Sequence, residues 1–208
     1  MARSRYNENV FVNCPFDPEY QRLFEALVFA VLDCGFVPRC ALEIDDASQV
    51  RIEKIMDIIA ECRLGIHDIS RTELDGTPAL PRFNMPLELG IFLGAKRYGA
   101  PNQQKKLCLV LDRESFRYQR FCSDIAGQDV RSHAGTPGEI IKVIRDWLRN
   151  ASRKSGIILP SGSRMVQRFE HFQRELPLVC DALGLDRNDL IFNDYSTVSS
   201  EWLKLNSW

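Results

Sequence analysis

The chain has 208 residues, 45% hydrophobic and 26% charged, with a formal net charge of -1. That composition suits a globular protein with one sizeable core and a small appendage. The balanced charge gives no global drive toward nucleic acid or an anionic membrane, and no apolar run approaches the ~18 residues of a membrane span.

In chain order, the opening MARSRYNENV has no apolar core of a signal peptide. NVFVNC is a short β-rich run that stops at Pro15. PEYQRLFEALVFAVLDCG then reads as a helix, with Leu23, Ala26, Leu27, Ala30 and Val31 at helical spacing and Gly35 ending it. FVPRCAL is a second strand candidate, which Pro38 either argues against or places at a sheet edge. SQVRIEKIMDIIAEC is an amphipathic helix with Val50, Ile52, Ile55, Ile58 and Ile59 on its apolar face and Ser48 as N-cap. CRLGIHDIS holds a third strand ending near His67 and Asp68, and the polar loop RTELDGTPALPR follows.

The next helix, NMPLELGIFLGA, takes Asn84 as its cap and tolerates Pro86 because first-turn amides have no intrahelical partner. Its composition reads as buried on nearly every side, with Glu88 the one charge between Met85 and Ala95. KKLCLVLD is the fourth strand and QDVRSH a weaker fifth. TPGEIIKVIRDWLRNA is a helix capped by Thr136, with Pro137 at its first position. After the break SRKSGIILPSGS come one more helix, SRMVQRFEHFQRELPLVCDALG, and a polar tail. The helix carries Met165, Phe169, Phe172, Leu176 and Val179 at helical spacing, suited to docking or to oligomerisation.

Strands alternating with helices predict α/β architecture: a doubly wound, flavodoxin-like parallel sheet of about five strands in order 2-1-3-4-5, over residues 1–152. Residues 153–208 form a C-terminal helical appendage. Seven cysteines, an odd number without a C-x-x-C pair, sit mostly in apolar runs and read as buried thiols of a reducing cytoplasm. Three histidines (67, 133 and 171) have no ligand spacing with any cysteine, so no metal is expected. The chain has neither G-x-G-x-x-G nor a phosphate-binding G-x-x-x-x-G-K-[ST] loop, nor a G-x-S-x-G elbow.

Ligands in open α/β sheets bind beyond the carboxyl ends of the strands at the switch point, here between the first and third. NCPFDPEY, HDIS and the start of the Glu88 helix converge there. Burying an ionised carboxylate is costly, and a helix N-terminus offsets roughly 0.3–2 kcal/mol. Glu88, with apolar flanks, is therefore read as functional. Asp68 is a crevice acid or a strand-ending turn; Asp17 caps the first helix or lines the site. Phe16 stacks on a planar ring or lids the core. Arg39 and Arg51 are phosphate candidates, His133 enters from the fifth strand, and His67 is structural.

Together VFVNCPFDPEYQRLFEAL, GFVPRCALEIDD, RIEKIMDIIAECRLGIHDIS and NMPLELGIFLGA resemble the nucleoside 2-deoxyribosyltransferase-like and TIR-like proteins of bacteria, over residues 9 to 112. The resemblance implies that Glu88 is the catalytic carboxylate acting at the sugar C1′. It implies that Asp68, with Ser70 beside it, helps hold ribose or base. Cys14, Pro15, Phe16 and Asp17 would line the nucleotide pocket, Arg39 would end a strand beside it, and Asn84 would open the catalytic helix. Such relatives cleave or transfer the N-glycosidic bond of nucleosides, nucleotides or NAD, some in antiphage defence, which implies NAD or a nucleotide as substrate, no cofactor, and a homo-oligomer or partner protein of a defence system. The alternative is a nucleotide-sensing or assembly module using the same pocket. The chain departs from the deoxyribosyltransferases in having no acid between Asp75 and Glu88, where LPRFNMPLE stands. It departs from TIR domains in opening with NCPFD.

Overall fold

The computed structural model describes residues 5–44, 46–72, 74–75, 80–81, 83–152 and 158–207. Five strands make one all-parallel sheet: β1 (Asn9–Asn13), β2 (Val37–Arg39), β3 (Leu64–Asp68), β4 (Leu107–Asp112) and β5 (Val130–Ser132). Their spatial order is 2-1-3-4-5, as the strand–helix alternation predicts. The register pairs Asn13 with His67 and Asp68 with Leu111, so the ends of β1, β3 and β4 open at one edge. Pro38 lies on β2, an edge strand, where its missing N–H is tolerated. In the polar loop after β3, Leu74–Asp75 and Leu80–Pro81 pair as a two-residue antiparallel ladder.

The described residues hold six α-helices: α1 (Gln21–Asp33), α2 (Arg51–Ala60), α3 (Asn84–Tyr98) and α4 (Pro137–Ala151), which flank the sheet, and α5 (Gly162–Leu183) and α6 (Phe192–Leu205), which pack on α1 and α4. Alternation along the strands divides the core. Val10, Val12, Leu64, Ile66, Leu109 and Leu111 pack toward α1 and α4, while Phe11 packs with Ile55, Ile58, Ile59 and Phe92 of α2 and α3. Gly65 is required for that second layer: a Cβ there would meet Phe92 at 2.7 Å and His67 Nε2 at 2.8 Å.

Three local expectations are corrected. Ser48 does not cap α2: its amide and hydroxyl both turn back to Asp46 Oδ1, at 2.9 and 2.7 Å, and the N-cap is Val50. Asn84 is the first residue of α3 rather than its cap, which is Phe83 without a side-chain bond. α3 is not buried all round, since Leu87 is 56% and Tyr98 86% exposed while Met85, Glu88, Leu89 and Phe92 form the buried stripe. Thr136 does cap α4, accepting from Glu139 N with Pro137 behind it.

The polar tail is a sixth helix. Phe192, Tyr195, Val198, Trp202 and Leu203 of α6 join Met165, Phe169, Phe172 and Leu176 of α5 in the same core as α1 and α4. Val179, expected on that stripe, is only partly buried, and Cys180 takes the inward place. Sandwiching between the sheet and these helices explains why Phe24 through Val31 are all buried. Residues 153–157, the centre of the expected break and of its basic SRKSG cluster, lie outside the described residues, as does Arg82. Among the described residues no helix is long and apolar enough to cross a membrane.

Candidate functional site

Glu88 belongs to the second turn of α3, on the inward line Met85–Glu88–Leu89–Phe92, one turn in from where α3 meets the strand ends. It is 7% exposed. Among the described residues no hydrogen bond or ion pair satisfies its carboxyl. Burial pushes the group up from 4.5 to about 7, and the charge of Arg51 at the start of α2 pulls only partly against that. Arg51 itself is exposed.

Around it stand the other switch-point residues. Cys14, just beyond β1, is a buried thiol held far above its ordinary range, first by burial and then by Asp68, Cys40, Glu88 and Asp17, which all lie within electrostatic reach. It is a neutral wall of the crevice, not a nucleophile. Pro15 is buried. Phe16 packs edge-on against Phe24, with ring centroids 5.4 Å apart, and thereby lids the core. Asp17 Oδ1 accepts from Tyr20 N at 3.1 Å, capping the turn into α1, and Oδ2 lies 3.4 Å from Arg71 Nε.

Asp68 ends β3 with no exposed surface. Ser70 N donates to its Oδ1 at 2.8 Å, and the Tyr20 hydroxyl donates to its Oδ2. His133, just past β5, brings Nε2 to 3.0 Å from Oδ2, a close polar contact off the line of an aligned hydrogen bond. His133 Nδ1 accepts from Gly135 N at 3.1 Å, which leaves the ring hydrogen on Nε2, facing Asp68. Burial alone would raise the Asp68 carboxyl; the contacts from His133, Ser70 and Tyr20 outweigh it and hold the group below its ordinary value. Asp68 is thus an ionised, internally satisfied anchor between β1, β3 and β5 loops.

Arg39 lies apart from this cluster in its bonding. Its guanidinium forks onto Glu43 at 2.6–3.0 Å and reaches Glu61 at 3.0 Å. Asn84 is exposed at the rim of α3.

Two residues that sequence reasoning passed over complete the floor. Asn13, the last residue of β1 and 2% exposed, binds both His67 Nδ1 (3.1 Å) and Met85 O (2.8 Å). Tyr20 donates its hydroxyl to Asp68 Oδ2. An amide closing an apolar strand was the available signal for Asn13; Tyr20 carries none, because its role depends on how the loop folds back. His67, expected to be structural, is fully buried, with Phe11 and Phe92 against its ring. Burial, reinforced by Lys106, pushes it down to about 3, so it is neutral. Among the described residues no group of three or more histidines, cysteines or acids is arranged to hold a metal ion.

Among the described residues the arrangement offers a buried carboxyl, Glu88, without a hydrogen-bond or ion-pair partner, within electrostatic reach of a neutral thiol that Asp68 also reaches. No protein-family model matches the chain, and no curated protein matches it.

Proposed function

We propose that the protein cleaves the N-glycosidic bond of NAD or a related nucleotide, with Glu88 acting at the sugar C1′ as the resemblance to nucleoside 2-deoxyribosyltransferase-like and TIR-like proteins implies. The observation that carries this reading is Glu88 itself: a buried carboxyl at the switch-point end of the sheet, held near 7, with no protein partner among the described residues. Structural carboxylates are paired, as Asp68 is. An unpaired one at a crevice awaits a positive partner from outside.

Breaking the C1′–N bond sends its electron pair to the departing base and leaves positive charge on the sugar. A carboxylate beside C1′ stabilises that charge, or captures it as a glycosyl ester; water then bonds to C1′, expelling the carboxylate where the ester has formed, and loses a proton. Nicotinamide leaves NAD as a neutral molecule and needs no proton donor. That suits a site without an acid between Asp75 and Glu88. The cationic ring of bound NAD would also draw the Glu88 proton off.

The test is incubation of the purified protein with NAD and with deoxynucleotides, following base release by chromatography. Release that falls by roughly 10²-fold or more in Glu88→Gln supports the reading. No release by wild type, or equal release by Glu88→Gln, removes it. Tight nucleotide binding by calorimetry without turnover would replace it with a sensing module in the same pocket.

A further inference from the structure

Glu88 has no hydrogen-bond or ion-pair partner among the described residues, yet the turn of α3 before it is fixed from below. The Asn13 side-chain amide joins β1, β3 and α3. Its nitrogen carries two hydrogens; one meets His67 Nδ1 on β3 and the other meets Met85 O, in the turn of α3 that precedes Glu88. This double donation also fixes which way the amide faces, because an oxygen there would oppose the Met85 carbonyl. His67 must present a bare Nδ1 to accept, and its enclosure by Phe11 and Phe92 keeps it from gaining a second proton. Gly65 makes room for that ring, since a side chain there would strike Phe92 and His67 Nε2.

We infer that Asn13 is a positioning residue for Glu88: its amide, oriented by His67, ties the first turn of α3 to the ends of β1 and β3 and so sets where the Glu88 carboxyl stands in the crevice. Asn13 need not touch substrate. It acts through the helix, and His67 acts through Asn13. The charged and titratable groups facing Glu88 are Arg51 of α2 and the thiols of Cys14 and Cys40; Asn13 adds no charge to this set.

The inference rests on Glu88 being the reactive carboxylate, and its test separates the two claims. In protein labelled with 13C at glutamate carboxyls, the Glu88 signal is assigned by its absence from Glu88→Gln. Wild type is expected to titrate near 7. In Asn13→Ala the first turn of α3 loosens, water reaches the carboxyl, and the midpoint moves toward 4.5. Base release then loses kcat on the order of 10-fold to 100-fold with little change in KM, as expected of misplacement. A residue that only stabilised the fold would lower Tm and leave the midpoint of the folded protein where it was. An unchanged midpoint together with an unchanged kcat overturns the positioning role. If wild type releases no base, the functional reading fails while the titration still decides the role of Asn13. Asn13→Ser and His67→Gln carry the same comparison if Asn13→Ala does not fold.

Discussion

Glu88 and Asp68 show how environment sorts two buried carboxyls that both lie within electrostatic reach of Cys14. Both are buried, and burial raises both. Asp68 has His133, Ser70 and Tyr20 to outweigh the effect; Glu88, among the described residues, has the charge of Arg51 alone. The folded chain therefore holds a proton on Glu88 over the range from 4.5 to about 7 where the unfolded chain has released it. Folding stability from this group falls as pH rises through that window, by about 3 kcal/mol at most. Glu88→Gln should accordingly be more stable than wild type at pH 8, with the difference vanishing near pH 4, as read by urea unfolding at the two pH values. If the carboxylate is the working form, base release by wild type should rise with pH and level off above about 7 in the kcat/KM profile of the free protein. At this scale the sequence was informative about Glu88, whose lone charge among apolar neighbours marked it. It was silent on Asn13 and Tyr20, whose partners lie 72 and 48 residues away along the chain.

Among the elements, α3 departs most from its composition. Its apolar residues suggest burial on every side, yet the helix lies on the sheet by one stripe and leaves Leu87 and Tyr98 in solvent. Strand order follows from alternation, and of the two readings that Pro38 left for FVPRCAL, no strand or an edge strand, the fold takes the edge. Helix starts do not, because capping is settled by competition among neighbours. Ser48 is taken by Asp46, and α2 begins two residues later than a Ser48 cap would set it. The close seating of α3 on β3 has its own consequence. Gly65→Ala would thrust a methyl to within 2.7 Å of the Phe92 ring, and we expect a loss of roughly 1–3 kcal/mol in unfolding free energy from the forced repacking. Displacement of Phe92 would also disturb His67, so the same variant should lose base release while it remains folded at low temperature.

For the whole molecule, the C-terminal helices are continuous with the α/β core rather than leaning on it. Phe29 of α1 has no exposed surface and packs on Phe169, Phe172 and Trp202, with centroids 5.4, 5.4 and 6.2 Å away. Glu25, in the same helix, is 2% exposed and is held at 2.7 Å by Arg187 and at 2.9 Å by Gln173. A chain ended at residue 152 would bare those rings to water and remove the Arg187 and Gln173 partners of Glu25. We expect that fragment to bind a hydrophobic dye and to elute as aggregate in size exclusion; a monomer with cooperative unfolding would show instead that α5 and α6 are dispensable. The sequence marked α5 through its apolar spacing but left α6 as a polar tail, because its inward residues are diluted by serine, asparagine and threonine.

The central claim is that Glu88 meets a sugar carbon, and a crystal structure of Glu88→Gln with NAD or a deoxynucleotide bound tests it most directly. The account predicts C1′ within ~3.5 Å of the residue-88 side-chain oxygen, with the base leaving on the opposite side. A ligand whose C1′ lies well outside that range, or one bound away from the ends of β1 and β3, would contradict it.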